Sequence, residues 1–427
     1  MKKKILTYLF CALVVVTGAF FLTKPADASV CSQSWNARIV LRYGKVFCTY
    51  DLSEHIDGFD KKQRSDRRIF HSVTGKAESI EFWQARGIDG YMSLCYVLPD
   101  FKHTVTQFCD KIEKLPVDAT IKFFPDSDKK FVITPHQTGK KVNLNKLFDE
   151  IFYAFKGGAN QVDLNLPVDD VAPSLTTQAA KKLTAKRGGF STSCASSTAD
   201  RQTNIALALS FFNGLTVQNG QRVSFNQTVG ERTEKRGFKT AKILVNGKYV
   251  DGVGGGVCQA STTIYNALLR AGVTVNAVCQ HSVKSSYVAA GLDAMVNGGG
   301  ADLVFTNETG NPLYFAAHCK NGKATVEIFG AETDIKIVPR SVVTKIVPYQ
   351  TIKKTDTKGN FCDKIPYDDQ FLTLSNGVDG VSSETYLDFY VGGKLTKSVK
   401  IRQNTYKSIP KTEIYGAKSR PLPDLPQ

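Results

Sequence analysis

The sequence lacks the residue spacings of a metal centre and of a nucleic-acid-binding domain. None of the ten cysteines belongs to a Cys-x-x-Cys pair, and the six histidines are scattered over 427 residues. Zinc sites need closely spaced ligands, so we expect no metal and no other cofactor. Zinc-finger, helix-turn-helix and RNA-binding signatures are also missing, so we expect no nucleic-acid partner.

Long apolar runs are missing everywhere except at the N-terminus. There, a basic start at Met1–Lys4 precedes an apolar stretch over Ile5–Leu22 and an Ala-x-Ala ending at Ala28. Residues 1–28 therefore predict a signal peptide, and Ser29 would begin the mature chain. An uncleaved anchor is the alternative, because the apolar run is close to membrane-spanning length. We expect a secreted or extracytoplasmic protein associated with the cell wall or membrane, touching the membrane only through this segment if it stays uncleaved.

Acidic residues are scarce relative to basic ones. The chain has 55 lysines and arginines against 39 aspartates and glutamates, which gives a formal charge of +16. A surplus of this size fits an anionic partner such as peptidoglycan or another anionic wall polymer. The alternative is that the lysines only keep the protein soluble.

Cysteine is abundant for a chain of this kind, and exported proteins use it for disulfides. Removal of Cys11 with the signal peptide leaves nine cysteines, an odd number, so at least one thiol is free or pairs with another chain. The spacing suggests four pairs: Cys31 with Cys48, Cys95 with Cys109, Cys279 with Cys319, and Cys194 with Cys362. This hypothesis leaves Cys258 as the free thiol, although spacing alone does not fix connectivity.

The most distinctive stretch is Asp251–Gly272, DGVGGGVCQASTTIYNALLRAG. Apolar residues recur after Cys258 with the period of a buried helix, and Gly272 stands where a C-terminal cap is expected. A cysteine in the first turn of a helix faces unpaired N–H groups and the positive end of the helix dipole, which favour the thiolate. The alternative is a tight turn before a core helix, with Cys258 packing or forming a disulfide.

The residue types of thiol-dependent acyl transfer follow in chain order. His281 is suited to accept the proton of Cys258, and Asp293 or Asp302 is suited to orient the imidazole. Four further residues would line the oxyanion site or substrate groove: Gly255, Gly256, Gln259 and Ser261. Each candidate has a structural alternative, since a lone histidine often only packs, and Asp293 and Asp302 also fit a turn and a strand start. No Ser-x-x-Lys motif competes.

The fold class predicted from periodicity is a multi-domain α+β protein with a Cys-bearing helix packed on a sheet in the central domain. The predicted divisions are an α+β region over 29–178, a basic linker over 179–187, an α+β module over 190–330, a small glycine-punctuated all-β module over 337–416, and a proline-rich tail over 417–427. The charged residues ahead of the glycines, Glu231, Arg232 and Lys239, are interpreted as surface charge, and the alternative is that they line the groove.

Three parts of the chain resemble known families. Phe190 to about Phe315 resembles the VanW family, first named from a glycopeptide-resistance gene cluster, in RQTNIALAL, GGGVCQASTTIYNALLRAG, HSVKSSYV and DLVFTNETGNPLY. Residues 116–176 resemble a peptidoglycan-binding domain found beside wall cross-linking enzymes and VanW modules. Residues 337–416 resemble the small glycine-rich β-module that often follows VanW domains. These resemblances imply an envelope location and an association with peptidoglycan.

Two functions remain open at this point. The first is a cysteine-dependent acyl-transferase or amidase that acts on wall peptides through Cys258, His281 and an aspartate. The second is a non-catalytic peptidoglycan-binding or scaffold protein of the cell wall. A link to vancomycin resistance is implied only by the family name.

Overall fold

The computed structural model describes residues 38–51, 99–156, 161–245 and 248–420. The signal peptide prediction, Cys31 and Cys95 lie outside these residues. The chain divides into two compact units. The described part of unit 1 comprises residues 38–51, 99–114, 140–156 and 161–169, and unit 2 comprises 115–139 together with the described chain from 170 onward.

The helices are α1 (Pro99–Asp110), α2 (Leu144–Lys156), α3 (Thr177–Lys182), α4 (Ala199–Ser210), α5 (Phe225–Val229) and α6 (Val257–Ala271). The strands are β1 (Arg38–Tyr43), β2 (Val46–Asp51), β3 (Thr120–Phe123), β4 (Phe131–Thr134), β5 (Gly139–Val142), β6 (Gln161–Asn165), β7 (Val168–Val171), β8 (Ala185–Ser193), β9 (Thr216–Val217), β10 (Arg222–Ser224), β11 (Thr240–Val245), β12 (Lys248–Val253), β13 (Thr274–Ala277), β14 (Val304–Thr306), β15 (Leu313–Lys320), β16 (Lys323–Gly330), β17 (Ile335–Val347), β18 (Thr351–Thr355), β19 (Phe371–Ser375), β20 (Gly380–Val391), β21 (Lys394–Tyr406) and β22 (Lys411–Tyr415). This mixture of helices and small sheets confirms the α+β content.

Unit 1 contains a three-stranded sheet in the order β2-β1-β6. Strand β1 pairs antiparallel with β2 and parallel with β6. Apolar side chains from α1 and α2, such as Val105 and Leu147, are buried in one cluster with Ile39 of β1. The sequence predicts strands over Tyr43–Tyr50 and Gln161–Leu166, and β2 and β6 confirm them. It also predicts a helix over Val105–Lys114, but the helix instead occupies Pro99–Asp110.

Unit 2 is built around an antiparallel sheet in the order β8-β16-β15-β9. The linker predicted over 179–187 is wrong, because these residues form the end of α3 and the start of β8. The basic side chains there suggested a solvated connection, but Ala180 is buried and Thr176 caps α3 through a hydrogen bond from Ala179 N–H. The chain therefore enters the central sheet directly from a short helix.

Helix α6 lies at the centre of unit 2. It ends at Gly272, a C-cap with φ 73°, as the sequence predicted. Every residue of the helix except Cys258 and Arg270 is buried. One part of its surface packs in the main apolar cluster through Ile264 and Leu268. Another part carries buried polar side chains, which a plain core helix would not have.

Residues 115–139 contribute a hairpin to unit 2. Strands β3 and β4 pair antiparallel, and their Phe123 and Phe131 rings stack at 5.0 Å between centroids. Both rings contact Tyr314 of β15 and Phe329 of β16, at centroid distances of 5.3–6.3 Å. Aromatic pairs in this range add to the stability given by area burial. The hairpin is therefore part of the packing of the central sheet.

The C-terminal part of unit 2 contains two three-stranded sheets, β17-β20-β21 and β18-β22-β19. The first is antiparallel throughout, although β18 and β19 lie between β17 and β20 along the chain. In the second, β22 runs parallel to β18. The sequence predicts extended segments over Ser341–Thr355 and Tyr386–Arg402, and the strands β17, β18, β20 and β21 confirm them. Within 335–420, the elements are strands.

The cysteines of unit 2 are not arranged as their spacing suggested. The Sγ atoms of Cys194 and Cys319 lie 3.3 Å apart. The hypothesis that joined Cys279 with Cys319 and Cys194 with Cys362 is therefore wrong. Strands β8 and β15 both pair with β16, and this brings Cys194, at the end of β8, beside Cys319. Spacing along the chain does not reveal which strands share a neighbour.

We expect Cys194 and Cys319 to form a disulfide when the protein meets a disulfide-bearing thiol oxidant. The thiols lose two protons and two electrons, and the oxidant's disulfide is reduced. Closing a loop with a residue separation of 125 is expected to stabilise the fold by roughly 2–5 kcal/mol. Non-reducing peptide mapping checks the linkage, and urea unfolding with and without reductant checks the effect. A map that links Cys319 to Cys279 would contradict the expectation, and Cys279→Ser is the matched control.

Candidate functional site

The turn before α6 determines where Cys258 lies. Gly254 and Gly256 have φ values of 85° and 110°, which side chains rarely adopt. A Cβ on Gly255 would lie 2.8 Å from the carbonyl oxygen of Lys242, so the middle glycine has no room for a side chain. Asn204 of α4 donates a hydrogen bond of 2.9 Å to the Gly255 carbonyl. The turn is thus fixed from two sides and delivers Cys258 to the second position of the helix.

Cys258 Sγ donates a hydrogen bond of 3.2 Å to the Val296 carbonyl. The thiol also interacts electrostatically with the imidazole of His281. Nδ1 of the imidazole lies 2.7 Å from Oδ2 of Asp293, and the same oxygen accepts the backbone N–H of His281 at 2.7 Å. Because Asp293 occupies Nδ1, Nε2 is the ring nitrogen left for the sulfur. The structure therefore brings together three of the predicted residues in the order cysteine, histidine, aspartate.

Asp302, the other acid considered, lies elsewhere. Its carboxylate accepts hydrogen bonds from Ser224 Oγ at 2.5 Å and from the backbone N–H of Asn226 at 2.9 Å. Both donors belong to the start of α5, so Asp302 stabilises that helix terminus. Asp293 is the acid that contacts His281.

The three side chains alter one another's ionisation. Burial alone would raise the pKa of the Cys258 thiol, but the hydrogen bond and charge of His281 lower it below its ordinary value, with help from Arg232. Burial alone would lower the pKa of His281, but hydrogen bonds to Asp293 and Cys258 raise it to about 9. Burial alone would raise the pKa of Asp293, but hydrogen bonds from His281 and Tyr406 lower it. The arrangement favours a thiolate–imidazolium pair next to a carboxylate.

The polar face of α6 holds the segment that carries Asp293. Asn266 donates to the carbonyl of Leu292 at 2.7 Å. Ser261 donates to the carbonyl of Ala294 at 2.6 Å, and Thr262 accepts the N–H of Ala294 at 3.0 Å. These bonds satisfy the backbone on both sides of Asp293 inside the protein. The helix therefore carries the thiol and also fixes the acid.

Strand β21 supplies a second support for Asp293. Tyr406, which is 2% exposed, donates its hydroxyl proton to Oδ1 of Asp293 and accepts the N–H of Gly291 at 2.7 Å. Arg402 donates to the Asp293 carbonyl at 2.8 Å. Both oxygens of the carboxylate are thus engaged, one by His281 and the other by Tyr406. The orientation of the acid is set by a strand more than a hundred residues away.

The four residues predicted to line the groove have roles in the structure around Cys258. Gly255 and Gly256 form the turn before Cys258. The Gln259 amide donates to Thr192 Oγ1 at 3.1 Å and to the Ser193 carbonyl at 2.8 Å, which uses both of its N–H groups. Ser261 is buried and bound to Ala294. The donor available for an oxyanion is therefore the backbone N–H of Cys258, one of the N-terminal helix groups without an intrahelical acceptor.

Sequence reasoning missed several residues around the sulfur. Arg232 was interpreted as surface charge with a groove position as the alternative, and it is half-buried with its charge acting on Cys258. Tyr287 lies near Cys258, and burial raises its pKa, so its hydroxyl stays protonated. Tyr406 and Arg402 stand on a strand with no motif. Buried and exposed residues alternate at the end of β21, where Tyr406 is buried, but the residues before it, Gln403, Asn404 and Thr405, are all polar, so no sequence pattern marked it.

We expect Tyr406→Phe to shift the pH profile of Cys258 alkylation to higher pH. Loss of the hydroxyl removes the donor that orients Oδ1 of the Asp293 carboxylate, so the acid holds the His281 imidazolium in place less well. The N–H of Gly291 also loses its acceptor, at a cost of roughly 1–3 kcal/mol in unfolding free energy. Mass-spectrometric alkylation rates against pH test the shift. Tyr386→Phe is the control, because that hydroxyl binds Glu384 instead. An unchanged profile in Tyr406→Phe would contradict the expectation.

Two absences apply to the described part of the chain. Within it, no group of three or more His, Cys, Asp or Glu side chains could hold a metal ion. None of the helices in the described ranges has the length and apolar character needed to span a membrane.

Comparison with known proteins finds two family models and several relatives. "VanW like protein" matches residues 200–329, and "Putative peptidoglycan binding domain" matches residues 84–163. Both resemblances seen in the sequence, and their order along the chain, are confirmed. The second match begins further towards the N-terminus than residues 116–176.

Two curated relatives and one solved structure illustrate the similarity. The protein YoaR of Bacillus subtilis (strain 168) is 30% identical over 229 residues, which cover 53% of this chain and 73% of that protein. Vancomycin B-type resistance protein VanW of Enterococcus faecalis is 31% identical over 111 residues, 25% of this chain and 40% of that protein. The structure of an IgA1 protease G5 domain covers 21% of this chain and 100% of its own, at 14% identity and a TM-score of 0.14.

Proposed function

We propose that this chain, which belongs to the VanW family, acts at the cell wall as a cysteine-dependent acyl-transferase or amidase on wall peptides. The observation that carries the proposal is that the side chains of Cys258, His281 and Asp293 interact in series, with Cys258 at the start of a buried helix. Thiol proteases and acyl-transferases use these residue types in these roles.

The geometry supports a two-step reaction. The Cys258 thiolate attacks the carbonyl carbon of a peptide amide, and the backbone N–H of Cys258 stabilises the oxyanion. His281 gives its proton to the leaving amine as the C–N bond breaks, which leaves a thioester. Neutral His281 then takes a proton from water or from an acceptor amine, which attacks the thioester. The C–S bond breaks, and the sulfur leaves as the thiolate beside the imidazolium. Water gives hydrolysis, and an amine gives acyl transfer.

Peptidoglycan is the partner that the comparisons support. The peptidoglycan-binding model covers residues 84–163, and the chain carries a formal charge of +16. A cell-wall-associated protein fits both facts. The proposal also includes export through the N-terminal segment and the domain divisions at 178, 190, 330 and 337. It includes the link to vancomycin resistance that the name of one relative suggests.

The test uses purified protein without the signal segment and soluble fragments of peptidoglycan. We expect the wild-type chain to release or join peptide fragments, and acid quenching to trap a thioester on Cys258. Cys258→Ala is expected to abolish both, and Cys279→Ala, which removes another half-buried thiol, to leave them intact. Equal turnover by Cys258→Ala and wild type would refute catalysis by this residue.

The second candidate is a non-catalytic wall-binding protein, which the peptidoglycan-binding match favours. It predicts that the Cys258→Ala variant sediments with insoluble peptidoglycan as the wild-type protein does. It also predicts that this variant, expressed in a deletion strain, restores the wild-type phenotype. If Cys258→Ala binds peptidoglycan but does not restore the wild-type phenotype, the result would favour the enzyme instead.

A further inference from the structure

Arg232 flanks the glycine turn that presents Cys258. Its side chain packs over Gly254, where an added Cβ would lie 3.1 Å from Cβ of Arg232. Its positive charge acts on the thiol of Cys258. The arginine therefore borders the place where a substrate must lie to reach the sulfur.

The guanidinium is oriented by a neutral group. Nη2 donates to Oδ1 of Asn226 at 2.5 Å. The amide nitrogen of Asn226 in turn donates to the carbonyls of Asn297 and Ala301, at 3.1 and 2.9 Å. Asn226 is thus held in place from behind, and it fixes the direction of Arg232 without neutralising its charge.

The charge of Arg232 has no direct carboxylate partner in the described parts of the chain. No Asp or Glu oxygen there lies within 4.0 Å of it, since Asp302 acts only at longer range and its oxygens already bind Ser224 and Asn226. Nη1 of Arg232 also makes no hydrogen bond within those parts, and unlike Nε it is not among the fully buried atoms, so it is open to a ligand. A partly buried cation whose donors lack acceptors lowers the stability of the fold unless an anion binds to it.

We propose that Arg232 binds a carboxylate of the substrate and so selects peptides with a free carboxylate close to the amide that Cys258 attacks. This inference rests on the proposed function and names its substrate class. The planar guanidinium fork matches a carboxylate better than the point charge of lysine does. The Cys258 thiolate alone does not account for Arg232, because acylation removes that charge while the cation remains.

Two small alkylating reagents test carboxylate recognition without requiring any enzymatic activity. Iodoacetate and iodoacetamide have nearly the same shape, but only the first carries a carboxylate. The rate of each reagent at Cys258 is measured by peptide mapping, and the iodoacetate rate is divided by the iodoacetamide rate. This ratio cancels the effect of Arg232 on the fraction of thiolate. Exposed Cys362 serves as the internal reference in the same chain.

We expect the ratio at Cys258 to fall about tenfold in Arg232→Gln, which is the change for loss of a charge-assisted hydrogen bond. Arg232→Lys is expected to retain part of the preference. The matched control is Arg236→Gln, because Arg236 belongs to the same loop but donates to the carbonyl of Glu231. An equal ratio in wild type and Arg232→Gln, or an equal fall in Arg236→Gln, would overturn the proposal.

A second measurement connects the inference to catalysis. Two synthetic wall-type peptides that differ only in a terminal carboxylate or carboxamide are compared as substrates. We expect wild type to prefer the carboxylate through a lower KM, and Arg232→Gln to lose the preference. Preference in alkylation without turnover of either peptide would refute the enzymatic proposal and leave the anion site standing. Turnover of both peptides with equal KM would refute carboxylate selection and leave the enzyme standing.

Discussion

Alkylation of Cys258 by iodoacetamide at pH 7 is expected to slow by about tenfold or more when His281 is replaced by alanine. In the wild-type chain, burial raises the pKa of the thiol, and His281 reverses this effect. Without the imidazole, burial dominates, and the pKa of Cys258 is expected to exceed its ordinary value. Below that pKa, each unit of increase reduces the thiolate fraction about tenfold.

The direction of the pH dependence follows from the two pKa shifts. The pKa of the thiol is lowered, so wild-type reactivity extends to lower pH than that of an ordinary thiol and is lost as the pH falls through that lowered pKa. The imidazolium has a raised pKa of about 9, so it keeps its charge until the pH rises through about 9. In His281→Ala, the onset of alkylation is expected to move to higher pH.

His318→Ala is the matched control for this experiment, because His318 is a half-buried histidine of strand β15 that takes no part in the Cys258 contacts. It is expected to leave the Cys258 profile unchanged. Coincident profiles for wild type and His281→Ala would show that the imidazole does not ionise the thiol. Such a result would remove the basis of the proposed mechanism.

Gly188→Ala is expected to lower the free energy of unfolding by about 3 kcal/mol. A Cβ on Gly188 would lie 2.5 Å from the backbone nitrogen of Ala271, 2.8 Å from the carbonyl carbon of Arg270 and 2.9 Å from the carbonyl oxygen of Ala267. All three atoms belong to the backbone of α6, which has no side-chain rotation available to relieve the overlap. Either β8 or the helix must move. Urea unfolding monitored by circular dichroism measures the loss.

The adjacent residue provides a control for this prediction. A Cβ on Gly189 would meet the Val326 carbonyl oxygen at 3.2 Å and Cε of Lys186 at 3.3 Å, and the lysine end is flexible. We expect Gly189→Ala to cost less than about 1 kcal/mol. If Gly188→Ala were as stable as Gly189→Ala, the close packing of α6 on β8 would be refuted.

Local signals in the sequence were sufficient to predict α6, its glycine cap and the strands of unit 1. They were also sufficient to order Cys258, His281 and an acid along the chain. They did not distinguish Asp293 from Asp302, because the choice depends on which loop returns to His281. Buried hydrogen bonds from Asn266 and Tyr406 decide that, and such pairings leave no periodic pattern in the sequence.

Other parts of the site depended on contacts that only the folded chain reveals. Arg232 looked like any surface cation, since its burial arises from the glycine turn packed against it. The proximity of the Cys194 and Cys319 thiols arises because β8 and β15 both pair with β16. The catalytic roles of Cys258, His281 and Asp293 stay a prediction.

The hydrogen bonds between the end of β21 and the segment from Gln280 to Asp293 determine which fragments of this protein can keep the site. Gln280 donates to the Thr405 carbonyl at 2.8 Å, and the N–H of Lys407 donates to the Ser282 carbonyl at 2.9 Å. A fragment that stops at residue 330 would keep the thiol and the imidazole but lose the strand that holds their acid. Gene fusions, truncations and domain swaps must therefore carry residues 335–415 along with the central module, because the two parts share one site.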